Sequence, residues 1–219
     1  LEAEMQKYLD IGMNEETVLK RTQGVGILKP ADARRLTAVG PRLRSTGIKY
    51  DVRKADPHAA YGEVPFDICT ADTCDVHGQY VVRVLEIIEA IKIVRWLIKN
   101  LPAGDYRVKT PRKVPEGEAF SRTEAPRGED IHWLKANGTD KPERLKVRAP
   151  TYANITNVAF NLKGAHIADV PMIVAGIDPC MGCMDRVIVI DVEKKTQTVT
   201  NGDALWKFAN EWYEKGGRA

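Results

Sequence analysis

A long amphipathic segment at residues 80–100 limits the fold more than any other feature of this sequence. Apolar side chains recur there at helical spacing, and charged side chains occupy the other side. The apolar positions are Val81, Leu85, Ile88, Ile91, Val94 and Ile98. Such a helix would be about 30 Å long, and Pro102 and Gly104 would end it. The pattern predicts a body built around one central helix.

Charged residues interrupt the apolar run of this segment, at Arg83, Glu86, Glu89, Lys92 and Arg95. No stretch of the chain reaches the roughly 18 uninterrupted apolar residues that a membrane-spanning helix needs. We therefore expect any membrane association to come through partner subunits.

Shorter elements precede the central helix. Residues 1–22 predict two short helices broken at Gly12, with Asn14 as a cap. Another short helix is expected to begin at Pro30, because proline favours the first helical position. Residues 42–66 are rich in glycine, proline and charge, which predicts irregular structure.

The elements after the central helix are mixed. Short β-like runs over residues 119–149, with a turn at Asn137–Gly138, predict a β-hairpin. The later elements are predicted helices at 153–162, 167–175 and 202–213 and a second hairpin at 187–192 and 196–200. We expect an α+β fold that is mostly helical, in one domain spanning residues 1–219, with residues 187–219 as a C-terminal extension.

Composition narrows the function classes. The 219-residue chain can bury a core, since 43% of its residues are hydrophobic. Its 33 basic and 30 acidic side chains give a formal charge of +3 with no long run of one sign, so nucleic acid is not an expected partner.

No signal peptide is recognised, which predicts a reducing, intracellular compartment. A start at Leu1, inside a predicted helix, indicates a fragment or a split subunit.

Cys180 and Cys183 are the strongest candidates for chemistry, because C-x-x-C spacing places two thiols on one side of a tight turn. Such a pair can be a redox dithiol, half of a zinc site, half of a cluster site, or two buried thiols. A thioredoxin-type motif should open a helix directly after a strand. This pair instead follows an apolar run that looks helical, and Asp178 and Pro179 introduce it.

Several stretches resemble, in the same order, the large subunit of energy-converting, membrane-bound nickel–iron (NiFe) hydrogenases, which are relatives of the catalytic-module D subunit of NADH:quinone oxidoreductase (complex I). Residues 168–186 are similar to the C-terminal metal motif of that family. Residues 22–67 are similar to its middle part, and residues 124–129, Glu-Ala-Pro-Arg-Gly-Glu, are similar to its Glu-Ala-Pro-Arg-Gly element. With residues 147–150, the resemblance covers most of residues 1–192.

The resemblance implies a hydrogenase large-subunit-like fold and a nickel–iron centre held by four thiolates, of which this chain supplies two. Cys180 would be a terminal nickel ligand able to accept a proton, and Cys183 would bridge nickel and iron. Arg127 would lie over the iron and donate hydrogen bonds to its cyanide ligands. The alternative for Arg127 is an ordinary surface arginine of a hairpin. Asp178 would either support the metal ligands or cap the turn.

The resemblance also implies partners. The other cysteine pair would come from an N-terminal portion or from a separate subunit. Electrons would pass through iron–sulfur clusters of a small subunit, and membrane-arm subunits would anchor the complex at the cytoplasmic face of the cell membrane. Family members are cut after the basic residue that follows the second cysteine, which here is the Arg186–Val187 bond. Cys69, Cys74 and His77 are read as incidental thiols and a helix-start residue, with metal binding as the alternative.

The expected function is that of an oxidoreductase subunit that reduces protons to H2 or oxidises H2. One alternative is a metal-free relative that reduces quinone or a sulfur compound, like the complex I subunit. Another is a structural subunit that docks a cluster-bearing partner and retains the cysteines as a remnant.

Overall fold

The computed structural model of the chain describes residues 1–184 and 187–217. These residues fall into two compact units, Leu1–Pro179 and Cys180–Ala219, and each is described by itself. Within the described residues the secondary structure consists of ten α-helices, one 3₁₀ turn and two small antiparallel sheets. The predicted α+β class is therefore confirmed, while the single domain over residues 1–219 stays a prediction.

The first unit contains most of the helices. In chain order they are α1 (Glu2–Asn14), α2 (Glu16–Thr22), α3 (Pro30–Arg35), α4 (Pro41–Arg44), α5 (Val52–Ala55), α6 (Val76–Lys99), α7 (Pro150–Leu162), a 3₁₀ turn (Ile167–Asp169) and α8 (Val170–Gly176). Among the described residues, no helix combines the length and apolar character needed to cross a membrane.

The central helix α6 begins four residues earlier than its apolar pattern predicts. Asp75 caps it, because its carboxylate accepts the Gly78 N–H at 2.9 Å and also accepts the Thr73 hydroxyl. The first turn then buries polar side chains, with His77 4% and Gln79 1% exposed. These buried polar residues hide the helix start from a search for apolar periodicity.

The predicted break at Gly12 is wrong, since α1 runs through this residue and ends at Asn14. The helix break lies at Glu15, which is also the residue that precedes α2, so Asn14 is not the cap. Gly12 is required by packing: a Cβ atom at this position would lie 1.9 Å from the ring of Tyr80 on α6. The glycine therefore allows two helices to approach closely rather than ending one of them.

The sheet of the first unit has three strands where the sequence predicted a hairpin. They are β1 (Gly117–Ala125), β2 (Gly128–Ala136) and β3 (Pro142–Arg148), paired antiparallel in that order. The register pairs Glu124 with Glu129 and Ala125 with Gly128. Strand β1 was missed because its first five residues are exposed and carry no alternation of apolar and polar side chains. Residues 42–66, predicted as irregular, contain the short helix α5 and all of α4 except Pro41.

The second unit agrees with its predicted elements. A single helical turn, α9 (Met181–Met184), carries the second cysteine of the C-x-x-C motif. A hairpin follows, with β4 (Val187–Asp191) paired to β5 (Thr196–Thr200), and α10 (Gly202–Glu214) ends the described part. Asn201 caps α10 by accepting the Ala204 N–H at 2.9 Å. The Asp185–Arg186 segment, with the predicted processing bond after Arg186, lies outside the described residues.

Gly40 offers a direct test of how the first unit is assembled. Its φ is +64°, and a Cβ atom there would lie 2.3 Å from the carbonyl oxygen of Arg127. We expect Gly40→Ala to lower the free energy of unfolding by about 3 kcal/mol, through both backbone strain and a backbone clash. The matched control is Gly24→Ala, where φ is +71° but nothing lies within 4 Å, so only strain of about 1 kcal/mol is expected. Chemical denaturation of both variants measures this, and equal losses would contradict the close approach.

Candidate functional site

Arg127 lies in the tight turn that joins β1 to β2. The backbone of this turn packs on Gly40, and Gly128 follows with φ +124°, a conformation that other residues rarely adopt. Asn154 on α7 fixes the loop that contains Gly40: its side-chain oxygen accepts the Val39 N–H at 3.1 Å, and its amide donates to the Val39 carbonyl at 3.2 Å. The buried face of α7 therefore fixes the loop on which the turn of Arg127 packs.

Arg127 binds Asp178 through two groups. Its Nη2 lies 3.0 Å from a carboxylate oxygen of Asp178, and its Nε donates to the backbone carbonyl of the same residue. Two contacts of this kind fix the direction of the guanidinium plane. The Arg127 side chain remains 28% exposed, so N–H groups beyond these contacts can face a ligand. The structure thus brings together two predicted site residues that lie 51 positions apart.

Asp178 follows α8 in an unusual conformation. Its φ is +51°, in the left-handed region that aspartate tolerates better than most residues. Its N–H donates to the carbonyl of Ala175 at 2.9 Å, which closes the last turn. Asp178 therefore acts as a turn residue and also as the ionic partner of Arg127. A role beside metal ligands stays a prediction.

Cys180 and Cys183 belong to the second unit. The Cys183 N–H donates to the Cys180 carbonyl at 3.1 Å, so the pair spans one helical turn, and both side chains are half-buried. Residues three apart on a helix lie on one face. Within residues 1–184 and 187–217, no group of three or more His, Cys, Asp or Glu side chains is arranged to bind a metal ion. This part of the chain offers a two-thiol donor set, which fits half of a four-thiolate site.

A buried ionic network centred on Arg44 lies in the first unit. Only 1% of the Arg44 side chain is exposed, and its guanidinium binds Glu86 through Nε and Glu124 through Nη1 at 2.8 Å. Glu124 also accepts the Val52 N–H at 3.1 Å with its other oxygen. The network connects α4, α6, β1 and the start of α5. It thereby ties the strand that leads to Arg127 to the central helix.

Asp51 and Arg53 form a separate pair beside this network. The Arg53 side chain reaches both oxygens of Asp51, at 2.9 and 2.7 Å. The distance from Asp51 to Arg44 is longer, at 3.6 Å. Hydrogen bonds from Arg53 therefore satisfy the Asp51 carboxylate. Burial alone would raise the pKa of Asp51, but the pairing with Arg53 outweighs burial, so this pKa falls below its usual value.

The carboxyl groups of the Arg44 network behave differently from Asp51. Burial raises the pKa of Glu86, and Arg44 offsets this only in part. Burial also raises the pKa of Glu124, and the charge of Asp51 adds to the effect. Both shifts have the same cause, since a carboxylate loses solvation in the interior and one guanidinium serves two carboxylates.

A cavity of about 370 Å³ connects the network with the Arg127–Asp178 pair. Its charged lining consists of Arg44, Arg53, Arg83, Glu86, Glu124 and Asp178. Ala125 and Pro126, which precede Arg127, also line it. The same space is therefore lined both by the ionic network and by the partner of Arg127.

The sequence did not reveal that Arg44, Glu86 and Glu124 form one buried ionic network. One signal could have found Glu86: it lies four residues after Val82 and seven before Ile93, both of which are buried. A carboxylate at helical spacing within a buried face needs a cation, because an unpaired buried charge is costly. No comparable local signal marks Arg44, since its burial depends on strands and helices far away in sequence.

The remaining cysteines and His77 have local roles. Burial raises the pKa of the Cys69 thiol to about 11, and Glu86 and Glu89 contribute to the shift. Burial also raises the pKa of Cys74. Both thiols therefore stay protonated at neutral pH, unlike a reactive thiolate. The Nε2 atom of His77 lies 3.0 Å from the Gly12 carbonyl inside the α1–α6 contact.

The sequence matches the profile of one protein family over two overlapping ranges. The family is described as the 49 kDa subunit of respiratory-chain NADH dehydrogenase, and the matches cover residues 1–114 and 108–186. The chain belongs to this family. The family resemblance inferred from the ordered motifs is thereby confirmed.

Relatives within the family include hydrogenases and complex I subunits. The carbon monoxide-induced hydrogenase of Rhodospirillum rubrum is 41% identical over 170 residues, covering 78% of this chain and 47% of the relative. Formate hydrogenlyase subunit 5 of Escherichia coli is 35% identical over 208 residues, covering 95% of this chain and 37% of the relative. The D subunit of NADH-quinone oxidoreductase from Dehalococcoides mccartyi is 39% identical over 184 residues, covering 83% of this chain and 50% of the relative. The chain spans about half the length, or less, of these curated relatives, whose names are those of oxidoreductases or their subunits.

Proposed function

We propose that this member of the 49 kDa-subunit family is the C-terminal part of the catalytic subunit of a membrane-bound nickel–iron hydrogenase, which reduces protons to H2 or oxidises H2. The observation that carries the proposal is the Arg127–Asp178 pair, whose aspartate stands two residues before the first cysteine of the C-x-x-C motif. Hydrogenase relatives at 41% and 35% identity support it.

The donor set of the chain fits half of such a centre. Cys180 and Cys183 would hold the nickel–iron centre, because thiolates are soft ligands that suit this metal pair. When bound, a nickel–iron centre supplies the redox chemistry that interconverts H2 with protons and electrons. The other thiolates would come from an N-terminal portion or from a partner subunit.

The residues of this chain would position groups and move a proton. Cys180 would accept and release a proton at Sγ, as a terminal thiolate can. Arg127, oriented by its two contacts with Asp178, would direct N–H donors toward anionic ligands of iron and restrict the access of water. A hydrogenase large-subunit-like fold is part of the same proposal.

The proposed enzyme would need partner subunits. We expect electrons to pass through the iron–sulfur clusters of a small subunit, and we expect membrane-arm subunits to place the complex at the cytoplasmic face of the membrane. The relatives named as numbered or lettered subunits of formate hydrogenlyase and NADH-quinone oxidoreductase support a multisubunit assembly.

A second candidate is a metal-free, complex I-like subunit that reduces quinone or a sulfur compound. Its support is the 39% identity to the NADH-quinone oxidoreductase relative, which is close to the identity with the hydrogenases. The C-x-x-C pair supports the first candidate, because two thiolates are soft donors that suit nickel and iron. A purely structural docking subunit would leave the Arg127–Asp178 pair without a role.

The test is an assay of the purified complex with a reduced low-potential electron donor. H2 evolution supports the hydrogenase proposal. Reduction of quinone or of a sulfur compound without H2 evolution would support the second candidate instead. A complex with neither activity would favour the structural alternative.

A further inference from the structure

Residues 101–115, here called the connecting segment, lie between the end of α6 and the start of β1. They contain no helix or strand, and all of them are exposed. Pro102, Pro111 and Pro115 keep this stretch out of regular structure, because proline lacks the N–H group that helices and sheets use. Irregular connections of this length are uncommon in compact domains and are usually binding loops or linkers. The connecting segment is therefore a candidate interaction surface.

The connecting segment carries the whole net charge of the chain. Its acidic side chain is Asp105, and its basic side chains are Arg107, Lys109, Arg112 and Lys113. Four positive charges and one negative charge give the segment a formal charge of +3, which equals that of all 219 residues. Acidic and basic side chains therefore balance over the rest of the sequence. A charge concentrated in one exposed stretch creates a local positive potential that attracts anions.

The four basic side chains have no partner within the part of the chain that the structure describes. None of them forms an ion pair or a side-chain hydrogen bond there. The backbone is similarly open: over residues 101–115 the structure shows one backbone hydrogen bond, from the Val114 N–H to the Thr139 carbonyl at 3.3 Å. No local contact therefore neutralises the charge or fixes the side chains.

Apolar side chains alternate with the basic ones. Tyr106 and Val108, which flank Arg107, are 101% and 79% exposed. Leu101 and Val114, near the two ends of the segment, are exposed as well. Tyrosine is enriched where a protein meets the headgroups of a membrane, because its ring is apolar and its hydroxyl stays hydrated. This mixture of basic, aromatic and aliphatic side chains suits a surface that offers both phosphate groups and apolar material.

We propose that the connecting segment binds the anionic phosphate headgroups of a lipid leaflet, with Tyr106 and Val108 lying among the headgroups. Clusters of about four to eight Lys and Arg side chains bind such leaflets, and each contributes roughly fivefold to the affinity. Fluid headgroups adapt to side chains without fixed positions, whereas an acidic protein surface needs charges at matching places. The prolines also disfavour pairing with the sheet of a partner protein as an added strand.

This contact would place the chain at a membrane surface directly as well as through partner subunits. The helix α6 runs from residues that line the cavity, Arg83 and Ala90 among them, to the start of the connecting segment. The leaflet would therefore hold the end of α6 that is farther from the cavity. The proposal needs neither nickel nor H2 chemistry, so it stands or fails separately from the proposed function.

The first test measures flotation of the full chain with lipid vesicles. We expect binding to vesicles of equal parts phosphatidylcholine and phosphatidylglycerol, and no binding to phosphatidylcholine alone. Binding should be lost when the ionic strength rises from about 0.1 to about 1 M, because the screening length falls from about 10 to about 3 Å. Equal binding to both kinds of vesicle would overturn the proposal. Binding to neither would also overturn it and would leave an acidic protein surface as the occupant.

Charge variants locate the contact on the chain. Lys109→Gln/Lys113→Gln should weaken binding to the anionic vesicles about 25-fold, at roughly fivefold for each lysine. The matched control is Lys7→Gln/Lys20→Gln, which removes the same charge from two exposed lysines that already form ion pairs. This control should bind nearly as well as the unmodified chain. Equal losses in the two double variants would overturn the proposal, because the general charge of the chain would then explain binding.

A second pair of variants tests the aromatic side chain. Tyr106→Ser should weaken binding to the anionic vesicles, because it removes the ring from the headgroup region, whereas Tyr106→Phe retains the ring and should bind well. Equal binding of these two variants would overturn the contact of Tyr106 with lipid. Because the segment is exposed, all the variants should fold, and an unchanged circular dichroism spectrum checks this.

Discussion

Replacing either cysteine of the C-x-x-C motif by serine is expected to abolish H2 evolution and to remove nickel from the complex. A serine hydroxyl is a hard donor that stays protonated at neutral pH, so it cannot replace a thiolate toward a soft metal. Because each thiolate would be a direct ligand, the loss should reach the background of the assay rather than a partial reduction. H2 evolution and elemental analysis of the same preparation, for Cys180→Ser and Cys183→Ser, measure both effects.

Cys74→Ser is the control for this pair. Cys74 lies in the loop before α6, and burial raises the pKa of its thiol, which stays protonated at neutral pH. Its replacement should leave nickel content and H2 evolution unchanged. A Cys183→Ser complex with full nickel content would contradict the proposed ligand set. Continued reduction of quinone or sulfur by that complex would favour the complex I-like alternative.

Arg44→Met is expected to cost about 3–5 kcal/mol of the free energy of unfolding. The substitution leaves Glu86 and Glu124 buried without their guanidinium, while the methionine roughly preserves the length of the side chain. Arg44 is 1% exposed and Glu124 is 4% exposed, so solvent cannot replace the lost contacts. Chemical denaturation at neutral pH, compared with the unmodified chain, measures the loss.

The loss of unfolding free energy in Arg44→Met is expected to change with pH in one direction. Burial already raises the folded-state pKa of Glu86 and Glu124, and loss of Arg44 raises it further. A carboxyl with a raised folded-state pKa contributes stability below its unfolded pKa and loses that contribution as the pH rises through the folded value. The cost of Arg44→Met should therefore grow as the pH increases.

Arg35→Met is the matched control for Arg44→Met. Arg35 also pairs with a carboxylate, that of Asp32 at 3.0 Å, but its side chain is 61% exposed. Exposed pairs contribute at most about 1 kcal/mol. A similar small cost for Arg44→Met would show that the Arg44 network does not stabilise the first unit.

Local sequence patterns predicted several elements of this fold. Apolar spacing located α6, α7 and α8, although the predicted apolar stripe of α6 leaves Val94 and Ile98 exposed. The continuous apolar run before Asp191 located the second hairpin, whose strands are mostly exposed. The patterns failed where packing rather than periodicity decides. Gly12 looked like a helix break but is a contact point for Tyr80, and β1 lacks an apolar face because its first half is exposed.

The candidate site also contains residues that the sequence revealed and residues that it did not. Cys180 and Cys183 are visible in the sequence because their spacing alone carries chemical meaning. Arg127 and Asp178 were found only through family resemblance, since nothing local indicates that residues so far apart form an ion pair. The Arg44 network was not found, because an arginine in a glycine- and proline-rich stretch looks exposed until the strand and helix that cover it are placed.

Elemental analysis of the purified complex tests the central claim most directly. The proposal predicts nickel bound in an amount equimolar with this chain, together with iron, and sulfur ligands to nickel in its X-ray absorption spectrum. Iron in excess of nickel is expected from the clusters of the partner subunit, so nickel is the decisive element. A complex that is intact and active in electron transfer but contains no nickel would contradict the hydrogenase proposal.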